Sequence, residues 1–93
     1  MAPPGGLDPA KIPQIITFTH DDAVNPLSNK VVKAVIDKHT NPNGCNVPAT
    51  WFTLQQGSDC ATVKKLYDEN SEIAIHTVSH SRLDPNFAGG TLL

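Results

Sequence analysis

No stretch of this sequence approaches the roughly 20 apolar residues that a membrane-spanning helix needs. Its first residues, from Met1 to Gln14, have neither the charged start nor the apolar middle of a secretory leader. That pattern leaves two readings, an intracellular protein or a sequence that begins downstream of a leader. Cationic residues are also scarce: seven Lys and Arg stand against nine Asp and Glu, a formal net charge of −2. There is no basic face to hold nucleic acid and no polybasic run for an anionic membrane. Aromatics make up only 5% of the chain, and Trp51 and Phe52 fall inside a strand candidate, where they read as core rather than as a stacking platform for sugars. No glycine-rich phosphate loop, serine nucleophile elbow or Cys-His nucleophile pair is present. Only two cysteines occur, Cys45 and Cys60, and without a CxxC partner they do not make a zinc motif. In an oxidising compartment they could pair, closing a loop worth roughly 3 kcal/mol; in a reducing one they would be two free thiols.

The 93 residues suffice for one small domain. Residues 1–11, rich in Pro and Gly, read as an extended arm, and residues 12–93 as the folded part. Ile12 to Phe18 is β-branched and apolar enough for a buried strand leading into Thr19-His20-Asp21-Asp22. Asn25-Pro26 is a helix start, with Asn at the N-cap and Pro at the first helical position. Leu27, Val31, Val35, Val32 and Ile36 recur at helical spacing, and the helix is expected to run to about His39, before the turn at Asn41-Pro42-Asn43-Gly44. Val47 to Leu54 is the second strand. Ser58 or Asp59 can cap a second helix with an apolar face of Cys60, Val63, Leu66 and Tyr67, closed by a left-handed Asn70. Ile73 to Ile75 is a third strand. The order β-α-β-α-β predicts an α/β fold with a parallel sheet, whose chemistry gathers where strands end.

Two elements carry chemistry at that edge. Adjacent carboxylates at a strand end point in different directions, so one of Asp21 and Asp22 can bind a cation while the other stays free to take a proton. The pair would equally suit a solvated turn opening a helix. His76 and His80 have HxxxH spacing, which puts both imidazoles on one side of a helical turn, about right for two ligands on one metal; two histidines on a polar loop would look the same. Read together, Asp22, His76 and His80 hold a divalent ion and Asp21 is the general base. Imidazole with carboxylate suits zinc, with cobalt or nickel as alternatives. His39, near a helix C-terminus, reads as structural; His20 could tune the Asp21 carboxylate or point into the core, and the structural reading is favoured.

These residues resemble the polysaccharide deacetylase family (NodB homology domain, carbohydrate esterase family 4), in particular its chitin deacetylase-like branch. Ile16-Thr17-Phe18-Thr19-His20-Asp21-Asp22-Ala23 is similar to the family's Thr-Phe-Asp-Asp segment. His76-Thr77-Val78-Ser79-His80 is similar to its His-Ser/Thr-x-x-His segment. Asn43 through Phe52 looks like its second strand, with Ala49-Thr50-Trp51-Phe52 matching Ala-Thr-aromatic-Phe. The resemblance covers residues 12 to about 84. It implies the N-terminal portion of a distorted (β/α) barrel, Asp21 as catalytic base, Asp22, His76 and His80 as metal ligands, and Thr77 bracing the loop without touching the metal. It also implies a secreted or cell-wall protein in which Cys45 and Cys60 form a disulfide. The implied reaction is hydrolysis of N-acetyl groups on N-acetylglucosamine units of chitin or a related glycan.

The sequence departs from the family in two places. His20 stands where Phe is usual before the Asp pair. The family's Arg-x-Pro-aromatic, Asp/Trp and Leu-x-His segments do not occur here, and Arg82 is no substitute because no Pro-aromatic follows it. The expectation is therefore an N-terminal part that keeps the metal-binding half of the site and is weakly active or inactive alone. The alternative is a truncated, catalytically inactive paralogue that binds a glycan or a partner.

Overall fold

The computed structural model describes residues 4–80. Two short 3-10 turns, Pro4–Gly6 and Pro9–Lys11, precede the regular elements, and residues 5–17 are exposed. Then come β1 (Thr19–Asp22), α1 (Pro26–Ile36), β2 (Thr50–Thr53), α2 (Cys60–Asp68) and β3 (Glu72–Ile75). The strands form one parallel sheet in the order β1-β2-β3. The expected alternation and parallel pairing are both present, in an α/β arrangement.

Local chemistry sets both helices. Asn25 caps α1 by accepting from the backbone N–H groups of Leu27 and Ser28, and Ser28 Oγ returns an acceptor to Asn25 N–H. Pro26 opens the helix, where its missing N–H costs nothing. α2 is capped by Asp59 rather than Ser58: its carboxylate accepts from both the backbone N–H and the hydroxyl of Thr62. Asn70 takes the expected left-handed conformation, with φ 64°.

Register then builds the core. His20, Trp51 and Ile73 are paired across the three strands and so share one face. Trp51 is fully buried on that face, packed with Ala49, Val24, Val32 and Ile36 of α1, and Leu66 of α2. Thr62 is also buried, because Asp59 satisfies its hydroxyl. Lys33 of α1 reaches Glu69 beyond α2 at 2.7 Å, and that hydrogen bond raises the lysine pKa. A half-exposed pair of this kind contributes at most about 1 kcal/mol. A hollow of about 750 Å³ is lined by Lys33, Cys45, Pro48 and Glu69, among others.

Three expectations need correction. The first strand is Thr19–Asp22, not Ile12 to Phe18; Ile15 and Ile16 are 84% and 79% exposed. Apolar content alone does not make a strand. The pairing follows β2, whose Thr50 meets Thr19 and whose Thr53 meets Asp22. α1 ends at Ile36 rather than near His39; the chain continues in tighter turns, Lys38 N–H to Val35 O and His39 N–H to Ile36 O. Each helix also buries only part of its expected apolar set. Val32 and Ile36 are inside, while Leu27, Val31, Val35 and Tyr67 are exposed and Cys60 lies at the exposed start of α2.

Two outcomes follow. Trp51→Ala removes the largest core side chain and is expected to cost about 3–5 kcal/mol, read as a loss of the cooperative denaturant transition; Trp51→Phe should retain that transition. The Thr62 hydroxyl and N–H hold the Asp59 carboxyl below its ordinary value of 3.8. The unfolded chain therefore binds more protons than the folded one as pH falls through that region. The cap's stabilisation is present above pH 3.8 and lost below it, so Asp59→Asn should flatten the acid limb of a stability–pH curve.

Candidate metal centre

In a parallel sheet the C-terminal ends of β1 and β3 lie on one edge. Asp22 pairs with Thr53, and Thr53 with Ile75, so His76 comes one residue past the register of Asp22. Strands two apart are separated by about 10 Å, a gap that an imidazole and a carboxylate reaching toward each other can close. They do so here: His76 Nε2 lies 3.2 Å from Asp22 Oδ1.

His80 arrives by a different route from the helical turn its spacing suggests. Residues 76–80 are not helical. Thr77 and His80 are left-handed, with φ 64° and 52°, and Thr77 Oγ1 accepts a hydrogen bond from His80 N–H at 2.9 Å. This tight turn folds His80 back until its Nε2 lies 3.0 Å from the same Asp22 Oδ1. The two imidazole rings are 4.9 Å apart. A β-branched residue at positive φ is unusual, and such a conformation costs about 1–3 kcal/mol. Asp22 is left-handed too, with φ 80°. Three of the four positive-φ residues other than glycine among the described residues are therefore at this cluster.

One ligand atom from each of Asp22, His76 and His80 lies within 4.8 Å of the others. Two imidazole nitrogens and one carboxylate oxygen are a zinc-type donor set. Around a tetrahedral ion, neighbouring ligand atoms are about 3.4 Å apart, close to the 3.2 and 3.0 Å found here. The residues present fit a divalent ion. Asp21 is exposed and is not among the converging groups. His20 is half-buried with its ring 4.9 Å from that of Trp51; His20 Nδ1 and Trp51 Nε1 are both buried without a hydrogen-bond partner. His39 is exposed, in the turn after α1. Arg82 lies outside the described residues.

Cys45 and Cys60 are free and exposed, not paired. Cys45 precedes β2 and Cys60 follows it. Cys60 is the first residue of α2, and the expected bridge between the two is not formed in this structure. The sequence reading also missed the role of Ser58. Its hydroxyl accepts from Val24 N–H at 2.8 Å and donates to Leu54 O, joining the loops after β1 and β2. No local pattern announces a contact between residues 34 positions apart.

No family model matches the chain. Two curated proteins do. Chitin deacetylase 1 of Bombyx mori is 35% identical over 79 residues, covering 84% of this chain and 15% of the relative. Chitin deacetylase 8 of Bombyx mori is 34% identical over 77 residues, covering 83% of this chain and 20% of the relative. The chain thus spans a fifth or less of the length of these relatives. Over that span, the chain is similar to the chitin deacetylase-like polysaccharide deacetylases.

Proposed function

We propose that this chain carries the metal-binding part of a hydrolase that removes acetyl groups from N-acetylglucosamine units of chitin or a related glycan. The observation that carries the reading is the convergence of His76 Nε2 and His80 Nε2 on one oxygen of Asp22 at the strand-end edge of a parallel sheet. The names of the two relatives supply the substrate class. The three parallel strands are read as the first part of a (β/α) barrel, whose active sites lie at that edge.

In this reading Asp22, His76 and His80 hold one divalent ion, with zinc favoured by the donor set. When bound, the ion supplies Lewis-acid polarisation of the amide carbonyl and activates water. The chain's own groups do the rest. Asp21, next to the ligand but outside the converging set, takes the proton from the attacking water. Thr77 braces His80 through its hydroxyl and does not touch the ion. An extracellular setting, where chitin-type glycans are found, fits this substrate. Among the described residues no helix is long and apolar enough to cross a membrane.

Calorimetric titration with Zn²⁺ near neutral pH is expected to give one site per chain. Asp22→Ala, His76→Ala and His80→Ala should each weaken it by at least about tenfold. A folded wild-type chain that takes up no Zn²⁺ or Co²⁺ would contradict the metal assignment. The activity test is acetate release from N-acetylglucosamine oligomers by the Zn²⁺-loaded chain against a chelated control. A slow, metal-dependent release is expected, falling about 10²–10⁴-fold in Asp21→Asn while Zn²⁺ affinity is retained. Equal release from Asp21→Asn would sink the base assignment.

A further inference from the structure

The residues from Asp22 to Val24 are tied to the loop that follows β2. Leu54 N–H donates to Asp22 O at 3.1 Å. Ser58 Oγ accepts from Val24 N–H and donates to Leu54 O. Asp59 N–H donates to Val24 O at 2.8 Å. Gly57, with φ 81°, comes so close to the first loop that a Cβ on it would stand 3.2 Å from the Ala23 Cβ. Four residues of one loop thus grip Asp22, Ala23 and Val24 in the other. The grip has something to resist. Asp22 has φ 80°, a conformation that a side-chain-bearing residue keeps only when its surroundings impose it.

We propose that Ser58 is a positioning residue for the metal centre, locking residues 22–24, with Asp22 at positive φ, so that Asp22 Oδ1 meets both imidazoles. The proposal rests on reading Asp22, His76 and His80 as metal ligands, and it adds a residue that contacts none of them. Val24 is fully buried, so its N–H has no solvent to turn to if the hydroxyl is lost. The repair open to the chain is a shift of residues 22–24, and such a shift carries the Asp22 carboxylate off the point where His76 Nε2 and His80 Nε2 converge. Gly57 acts on the same segment from the other side. With no side chain there, the two loops close to contact distance; a methyl group would push Ala23, and with it Asp22, outward.

The test compares the wild-type chain with Ser58→Ala, Ser58→Thr and Gly57→Ala, using His76→Ala to show that binding occurs at this site. Each is titrated with Co²⁺, following the visible absorption band of the bound ion, and circular dichroism checks the fold. In the metal-free chains, amide exchange at Val24 is read by NMR. Ser58→Ala is expected to stay folded, bind Co²⁺ roughly tenfold more weakly, show an altered band and exchange faster at Val24. Ser58→Thr restores the hydroxyl and should recover affinity and band. Gly57→Ala should weaken Co²⁺ binding in the same direction. Wild-type affinity, band and exchange in Ser58→Ala would overturn the proposal. If Ser58→Ala does not fold, wild-type affinity in Gly57→Ala would do so. A wild-type chain that binds no Co²⁺ removes the metal site itself, whereas a slow Val24 amide in that chain separates that failure from a failure of the clamp.

Discussion

The parallel register that sets Asp22 against Thr53, and Thr53 against Ile75, is the constraint on which the rest depends. It puts His20, Trp51 and Ile73 on one face, where the tryptophan anchors the core under both helices. It also brings two strand ends to one edge with a single short strand between them, so that a carboxylate and an imidazole can meet across the gap. A slip of one residue would turn Trp51 to the open face and carry His76 away from Asp22. Core and candidate site are therefore two results of one pairing.

Within that frame the site is held by conformations the backbone would not choose. Asp22, Thr77 and His80 are all left-handed; Leu54 N–H ties Asp22, and one hydrogen bond from His80 N–H to the Thr77 hydroxyl ties the other two together. Strain concentrated beside polar groups that converge on one point is a common property of functional sites, because only a surrounding that over-determines the geometry can sustain it. The helices show no such tension. Asn25 and Asp59 cap them with ordinary side-chain hydrogen bonds, and their buried residues are apolar apart from the satisfied Thr62.

What was legible in the sequence was what is local. Asn25-Pro26 starts a helix because the side chain and the ring act within one turn, and Asn70 ends one for the same reason. The Asp-Asp and HxxxH segments each have an ordinary reading as a solvated turn or a polar loop; it is their shared placement after two strands that singles them out, and the fold does bring Asp22, His76 and His80 together. What depended on distant partners was less so. Ile12 to Phe18 has the composition of a strand, yet pairing begins at Thr19 because that is where β2 offers its partners. The His76-to-His80 segment has helical spacing, but Thr77 at φ 64° makes it a tight non-helical turn. Cys45 and Cys60 suggest a bridge by number and by resemblance, while both thiols are free in this structure. Ser58 looked like a helix cap, and its hydroxyl instead joins two loops.

The account's central claim is that Asp22, His76 and His80 act together as ligands of one ion, and X-ray absorption at the zinc edge tests it most directly. The Zn²⁺-loaded chain should show two imidazoles and oxygen donors at about 2.0–2.2 Å, with no sulfur at about 2.3 Å. His76→Ala and His80→Ala should each remove one imidazole from the pattern. A spectrum with no imidazole scattering, or one unchanged by both substitutions, would contradict the account.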